Sequence, residues 1–249
     1  MNGGTAASLS LYAAGSLDAA LSDVARAFTM STGTSVAATF GPSGTLRARI
    51  EAGETADVFA SADMHHPRVL EAASLGGPVA LFARNRLSLL ARPDLDISSD
   101  IALTVMCDPA IRLGISTPGA DPSGDYAHAL FHKTGDADAL RDKAMSLTGG
   151  PDSATPPDGR NAYAWLIETG QIDIFLTYHT NTLLARSQMP LLQIVELPET
   201  LQVRAEYGLI VLRDAPTEAW KLAMHILSPA GQSVLGRYGF DAAALPKGD

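Results

Sequence analysis

Twice within its first fifty residues, the chain passes from a strand-like run to a helix-like run through a serine beside a glycine. Ser16 follows Gly15 after the run 8–13, and Ser43 lies within Gly41-Pro42-Ser43-Gly44 after the run 35–40. The first backbone N–H groups of a helix have no partner inside the helix, and a neighbouring hydroxyl adds a further donor. These residue types at a helix start are typical of an anion-binding site. We therefore expect both serines to bind one anionic ligand.

Ser123 follows a third strand-like run (residues 112–116) and precedes a third helix. In open α/β sheets the ligand lies beyond the carboxyl ends of the strands, which is where all three serines would fall. Each serine alone could instead be a simple N-cap that contributes about 1 kcal/mol to its helix. Their repetition after separate strands favours a shared anion site.

Two further candidate donors lie in the second half of the chain. Asp158-Gly159-Arg160 opens a helix predicted over 160–169, so the backbone N–H of Gly159 would be free to face an anion. Tyr178 ends the apolar run 172–178, which places its hydroxyl at the carboxyl end of a strand. A core role with the hydroxyl at the rim is an equally good interpretation of Tyr178.

The elements that must position these residues alternate along the chain. Leu17, Leu21, Val24 and Phe28 recur at helical spacing after the first strand, and similar pairs of strand and helix follow. This rhythm predicts βαβ units and therefore an α/β fold with mostly parallel sheets. A length of 249 residues allows one large domain or two smaller ones.

Composition excludes several functional classes. The net charge of −9 leaves no basic cluster for nucleic acid, so attraction of an anion must come from short-range backbone dipoles. No apolar run reaches the roughly 18 residues of a membrane span. Cys107 is the single cysteine, which rules out an internal disulfide. The first four residues show no basic and apolar leader, so we expect any export signal to have been removed.

An enzyme is the main alternative to a binding protein. Gly41-Pro42-Ser43-Gly44-Thr45 nearly matches the nucleophile elbow G-x-S-x-G, but Thr45 stands where the last glycine belongs. A serine hydrolase would also need an aspartate and a histidine, for which Asp173 and His179 can be nominated without any specific signal.

His128 and His132 are four residues apart on a predicted helix, as metal ligands can be. The glutamate of H-E-x-x-H is absent, which favours a surface or partly buried pair. We predict no metal held directly by histidine, cysteine, aspartate or glutamate side chains.

Several segments together resemble the molybdate-binding protein family, the periplasmic receptors of ABC transporters. The resemblance is most specific in the first 63 residues and extends over nearly the whole chain. The segments that carry it are Leu11-Tyr12-Ala13-Ala14-Gly15-Ser16-Leu17, Phe40-Gly41-Pro42-Ser43-Gly44-Thr45-Leu46, Ala56-Asp57-Val58-Phe59-Ala60-Ser61-Ala62-Asp63, Pro122-Ser123-Gly124-Asp125-Tyr126-Ala127 and Ser228-Pro229-Ala230-Gly231-Gln232.

The resemblance implies a two-lobe, periplasmic-binding-protein-like (type II) α/β fold. Each lobe would be a mostly parallel sheet flanked by helices, and two crossover strands would join them. Lobe I would comprise residues 1–82 plus 202–249, and lobe II residues 83–201. A tetrahedral oxyanion would lie between the lobes.

The resemblance also implies roles for the candidate residues. The hydroxyls of Ser16 and Ser43 would bind the oxyanion, together with backbone N–H groups at Ser123 and Gly159 and the hydroxyl of Tyr178. The protein would be a periplasmic, monomeric, non-enzymatic substrate-binding protein that delivers molybdate or tungstate to the membrane permease of an ABC importer, with no other cofactor. A receptor of the same fold for sulfate, phosphate or a small organic acid stays open, as does the effector domain of a regulator.

Overall fold

The computed structural model describes residues 8–243, so the expectation about a leader at residues 1–4 lies outside the described part of the chain. The chain forms two compact units. Unit 1 extends up to Arg84 and resumes at Glu206, and unit 2 is Asn85–Ala205. None of the helices within residues 8–243 is long and apolar enough to cross a membrane.

Strands and helices alternate through most of the chain, with short 3-10 turns at Gly15–Leu17 and Ser99–Ile101. The strands are β1 Leu9–Ala14, β2 Val36–Gly41, β3 Val58–Ser61, β4 Ala80–Ala91, β5 Leu113–Ser116, β6 Met145–Thr148, β7 Ile174–Tyr178, β8 Gln193–Glu196, β9 Arg204–Val211 and β10 Asp241–Ala242. The helices are α1 Asp18–Thr32, α2 Ser43–Glu51, α3 His65–Ala72, α4 Ala102–Cys107, α5 Pro122–Phe131, α6 Ala137–Lys143, α7 Ala162–Glu168, α8 His179–Gln188, α9 Thr217–Leu227 and α10 Pro229–Arg237.

In unit 1, strand β1 lies between β2 and β3 and is parallel to both. Strand β9 runs antiparallel to β3, and β10 runs antiparallel to β4. The apolar face of α1 is buried because its core residues recur at helical spacing, at Leu21, Val24 and Phe28. Because β1, β2 and β3 are parallel, they end at the same edge of the sheet, where α1 and α2 begin.

In unit 2, strand β5 lies between β6 and β7 and is parallel to both. Strand β4 runs antiparallel to β7 and to β8. All five residues of β7 are buried, in keeping with its mostly apolar sequence. The carboxyl ends of β5, β6 and β7 again share one edge, where α5 and α8 begin.

The predicted α/β class is confirmed, with one refinement. The sheets are mixed rather than mostly parallel, because β4 and β9 are long strands that join the two units and run antiparallel to their neighbours within each unit. The chain crosses from unit 1 to unit 2 within β4, between Arg84 and Asn85. It returns within β9, between Ala205 and Glu206.

Gly124 allows α5 to begin directly against the end of β5. A Cβ built there would lie 2.3 Å from the backbone oxygen of Ser116, which cannot move without disturbing the strand. We expect Gly124→Ala to lower the free energy of unfolding by about 1–3 kcal/mol through overpacking. Gly236 in α10 is the matched control, since nothing lies within 4 Å of its Cβ position.

Gly236→Ala should leave stability unchanged or raise it by up to about 1 kcal/mol, because alanine favours the helix. Urea unfolding of both variants measures the difference. Equal effects of the two substitutions would contradict the close approach at Gly124.

Candidate functional site

Ser16 and Ser43 lie at the same edge of the unit 1 sheet. Ala14 and Gly41 are register partners in the parallel strands β1 and β2. Each serine lies two residues beyond one of these partners, so both come just after the carboxyl end of a strand. Neither serine is an N-cap, since Ser16 lies inside a 3-10 turn and Ser43 is the first residue of α2, after Pro42. The interpretation of both serines as simple caps is therefore wrong.

The Ser43 hydroxyl is buried and oriented by the backbone of the next strand end. Its Oγ accepts a hydrogen bond of 3.1 Å from the N–H of Ala62, which follows β3. This bond uses a lone pair of the oxygen and keeps the O–H proton for donation to another acceptor. Ser43 is thus pre-oriented as a donor at the edge where three strands end.

The Ser16 hydroxyl is paired with a tyrosine that no local sequence pattern identifies. Ser16 Oγ and Tyr207 Oη lie 3.1 Å apart, and either can donate. Tyr207 is fully buried in β9, and Phe82 and Phe240 pack edge-on against its ring. When Tyr207 donates, the proton of the Ser16 hydroxyl is available to a ligand.

Ser123 differs from its predicted role. Its N–H, expected to face an anion, donates to Oδ1 of Asp121 at 3.0 Å, because Asp121 is the N-cap of α5. Its Oγ lies 3.2 Å from Oγ1 of Thr177. Both polar groups of this buried residue therefore have partners within unit 2.

Gly159 is also placed differently from the prediction. Helix α7 begins at Ala162, and its N-cap is Asn161, whose Oδ1 accepts from the N–H groups of Tyr163 and Ala164 at 3.1 Å. Gly159 lies before this cap, exposed and with a left-handed φ of 73°. The expected helix start at residue 160 is therefore wrong. The helix begins at Ala162, because the side chain of Asn161 accepts the hydrogen bonds of its first amides.

Tyr178 lies at the carboxyl end of β7, as the sequence predicts. It is buried, and its ring packs edge-on against Tyr126 of α5, with 6.1 Å between the ring centroids. The predicted role of its hydroxyl as a ligand donor stays a prediction.

Unit 2 also holds a largely buried set of polar side chains that the sequence did not single out, with Tyr163 only partly buried. We name it the hydroxyl cluster; its members are Ser116, Thr148, Tyr163, Thr177 and Asn181. Ser116 and Thr148, which end β5 and β6, are 2.9 Å apart through their hydroxyl oxygens. Asn181 donates to Tyr163 at 2.8 Å and to Thr177 at 3.0 Å. Burial raises the pKa of Tyr163 to about 12, so this phenol stays neutral.

Asp121 borders the hydroxyl cluster and carries an unusual carboxyl group. Burial raises its pKa to about 6, against the opposing effects of hydrogen bonds from Ser123 and Ser116. None of the ion pairs among residues 8–243 involves Asp121. A carboxyl that is desolvated without a cationic partner at the start of a helix can mark a functional position, although Asp121 also serves as the N-cap of α5.

The residues considered for a hydrolase or a metal site form ion pairs or hydrogen bonds with other side chains. Asp173 forms ion pairs with Arg112 and Arg92, and His179 contacts Glu196 at 3.1 Å. His132 contacts Arg141, so it is not poised with His128 around a metal. Within the described part of the chain, no three histidine, cysteine, aspartate or glutamate residues are grouped to hold a metal ion.

The fold and site geometry are those of a mixed-sheet α/β protein in two units, with oriented hydroxyls at strand ends. The chain belongs to the family of bacterial extracellular solute-binding proteins, whose pattern it matches over residues 9–241. Two relatives illustrate the match. The uncharacterized protein PM1146 of Pasteurella multocida is 40% identical over 81% of this chain and 85% of its own length. The molybdate-binding protein ModA of Escherichia coli is 26% identical over 93% and 88%.

Solved structures show the same fold. The periplasmic molybdate-binding protein of Azotobacter vinelandii superposes with a TM-score of 0.77 at 19% identity, covering 96% of this chain and 100% of its own. The sulfate-binding protein SubI of Mycobacterium tuberculosis gives 0.76 at 15% identity, covering 95% and 87%. The resemblance to molybdate-binding proteins and the two-lobe fold class are confirmed by these matches.

Proposed function

We propose that this protein is the substrate-binding component of an ABC importer and captures a tetrahedral oxyanion, molybdate or tungstate, outside the cytoplasmic membrane. The observation that carries the proposal is the pair of oriented serine hydroxyls at one sheet edge of unit 1. The Ser43 hydroxyl can donate to a ligand because its oxygen accepts the Ala62 N–H. The Ser16 hydroxyl can do the same when its oxygen accepts from Tyr207. The relatives named for molybdate support the choice of ligand.

The proposed binding mechanism uses neutral donors. Each hydrogen bond to a charged oxygen contributes about 1.5–3 kcal/mol, and the first amides of α2 add partial positive charge. Several such bonds offset the desolvation of the anion. No lysine or arginine is required, in keeping with a net charge of −9. We propose Tyr178 as a further donor, and an ABC permease is the proposed partner.

The identity of the anion is the finer part of the proposal. Because a sulfate-binding protein has a similar fold, sulfate is the second candidate ligand, and phosphate is the third. A site lined only by donors disfavours hydrogen phosphate, because the O–H of that anion finds no acceptor. Molybdate and sulfate are both fully ionised near pH 7, so the size of the site would separate them.

Thermal melting with molybdate, tungstate, sulfate and phosphate tests the proposal. Binding to the folded state alone raises apparent stability by about 2.7 kcal/mol at a ligand concentration one hundred times the Kd. We expect melting shifts of several degrees with molybdate and tungstate and smaller shifts with phosphate. Calorimetric titration then gives the affinities.

Chloride at equal ionic strength is the control for non-specific salt effects. A melting shift with sulfate and none with molybdate would identify sulfate as the ligand and would leave the proposed receptor function in place. No shift with any of the four anions, and no heat on titration, would contradict an oxyanion receptor.

A further inference from the structure

The end of β9 that enters unit 1 lies at the sheet edge that carries Ser16 and Ser43. Strand β9 runs antiparallel to β3, and Gly208 is the register partner of Ser61, the last residue of β3. Tyr207 precedes Gly208 and therefore lies just beyond the carboxyl end of β3. The pairing of these two strands brings the Tyr207 hydroxyl to 3.1 Å from the Ser16 Oγ.

The ring of Tyr207 is held in place by unit 1. Its side chain is fully buried. The ring of Phe82 packs edge-on against it with 6.2 Å between the centroids, and the ring of Phe240 does so with 5.4 Å. Edge-to-face aromatic pairs add to the stabilisation that burial supplies. The phenol oxygen therefore has a defined position beside Ser16.

The direction of the hydrogen bond between Ser16 and Tyr207 decides what Ser16 offers to a ligand. A phenol is more acidic than an aliphatic alcohol, so Tyr207 is the better donor of the two and Ser16 the better acceptor. Ser16 is also only partly buried, which leaves its own proton accessible to a bound anion. Both differences favour donation from Tyr207 to Ser16.

Ser43 shows the same arrangement with a donor whose direction is fixed. The N–H of Ala62 can only donate, and it lies 3.1 Å from the Ser43 Oγ. The two serine oxygens at this sheet edge are thus each approached at 3.1 Å by a group that can donate, one from the backbone and one from a buried phenol. Tyr207 takes the place beside Ser16 that the Ala62 N–H takes beside Ser43.

We propose, building on the oxyanion function above, that Tyr207 is a positioning residue that commits the Ser16 proton to the anion. The Ser16 hydroxyl has one proton, so when it donates to an oxyanion its oxygen must be the acceptor in the bond with Tyr207. Successive hydrogen bonds of this kind polarise one another, which makes Ser16 a stronger donor. Tyr207 acts through Ser16 and makes no contact of its own with the anion.

Tyr207→Phe tests this role, since it keeps the buried ring and removes the hydroxyl alone. Calorimetric titration with molybdate at a fixed pH should show an affinity about three- to tenfold lower than that of the wild type, as expected for the loss of one neutral hydrogen bond. Tyr238→Phe is the matched control. Its described hydroxyl bond goes to Asp23 of α1 at 2.8 Å, and we expect unchanged affinity.

A double-mutant cycle with Ser16→Ala separates positioning from a general structural effect. Ser16→Ala should itself weaken molybdate binding by about tenfold. Because Tyr207 acts through the serine hydroxyl, Tyr207→Phe should change the affinity of the Ser16→Ala protein by less than about twofold. A direct contact with the anion, or a disturbance of the fold, would give the same loss with and without the serine hydroxyl. Melting shifts at millimolar molybdate extend the comparison to weak binding.

The possible outcomes separate the two proposals. Wild-type affinity in Tyr207→Phe, or an equal loss in both backgrounds, overturns the role of Tyr207 and leaves the receptor intact. Unchanged affinity in Ser16→Ala removes Ser16 from the site and overturns the role of Tyr207 with it. The absence of binding by the wild type to molybdate, tungstate, sulfate and phosphate overturns the receptor and this inference together. Melting curves without ligand verify that every variant is folded.

Discussion

Replacing Asp173 by asparagine should lower the free energy of unfolding by about 2–3 kcal/mol at pH 7. The Asp173 carboxylate is nearly buried and accepts from the backbone N–H, Nε and Nη2 of Arg112 at 2.8, 2.9 and 2.8 Å, and it also contacts Arg92 at 3.2 Å. Removing one partner of such a network leaves cationic groups without compensation. Because the side chain of Arg112 is 50% exposed, water replaces part of the lost interaction and keeps the cost at the lower end.

The pH dependence of the same group gives an independent check. The two arginines lower the pKa of Asp173 to about 2, below its ordinary value near 4. Between these values the unfolded chain binds the proton more readily than the folded chain, so the stabilisation is complete above about pH 4 and is lost as the pH falls to 2. Asp173→Asn should lack this component of acid destabilisation.

Asp138→Asn is the matched control, since Asp138 is exposed and, among the described residues, pairs with Arg141 alone on the same helix. An exposed pair of this kind contributes at most about 1 kcal/mol, and we expect almost no change. Urea unfolding at pH 7 and pH 3 provides the measurement. A loss at Asp173 no larger than at Asp138 would show that the network does not stabilise unit 2.

The parts of the site that the sequence predicts are those encoded by neighbouring residues. Ser16 and Ser43 stand out because strand, glycine, serine and helix follow one another within about ten residues. Their hydrogen-bond partners are not local. Ala62 lies 19 residues from Ser43, and Tyr207 lies 191 residues from Ser16, so only the folded sheet brings them together.

The residues that cap α5 and α7 in unit 2 were recognisable in the sequence. Asp121 followed by Pro122 is a strong N-cap signature, with proline at the first helical position. Asn161 is likewise a favoured N-cap residue. The Asp121 cap accepts the N–H of Ser123, and the Asn161 cap accepts those of Tyr163 and Ala164. The expected role of the Gly159 N–H as a ligand donor stays a prediction.

Short elements of unit 2 are not predicted by periodicity. Strand β6 has four residues, and its pairing with β5 contains a register shift between Ile115 and Ser116. Helices α4 and α6 have six and seven residues, too few for a helical pattern to repeat. These elements depend on tertiary packing, since isolated helices of this length are unstable in water.

The largest functional effect is expected at Ser43. Ser43→Ala removes one hydroxyl donor to a charged oxygen, an interaction of about 1.5–3 kcal/mol, so molybdate affinity should fall by tenfold or more. The substitution also removes the acceptor of the Ala62 N–H, which should reduce the free energy of unfolding by about 1 kcal/mol. Ser43→Ala therefore separates the two roles, because a small loss of stability cannot by itself weaken binding tenfold in a protein that stays folded.

Ser22→Ala provides the control, since the Ser22 hydroxyl bonds only to Asp18 on the surface of α1 among its described contacts. Ser43→Thr keeps a hydroxyl in the same position and should retain more affinity than alanine if the added methyl group is accommodated. Calorimetric titration at a fixed pH compares the three variants with the wild type. Unchanged affinity in Ser43→Ala would remove Ser43 from the binding site, and a tenfold loss in both Ser22→Ala and Ser43→Ala would show that the effect is not specific to the sheet edge. A loss confined to Ser43 requires that an acceptor on the ligand lies within hydrogen-bonding reach of a hydroxyl whose own oxygen is already held by the backbone.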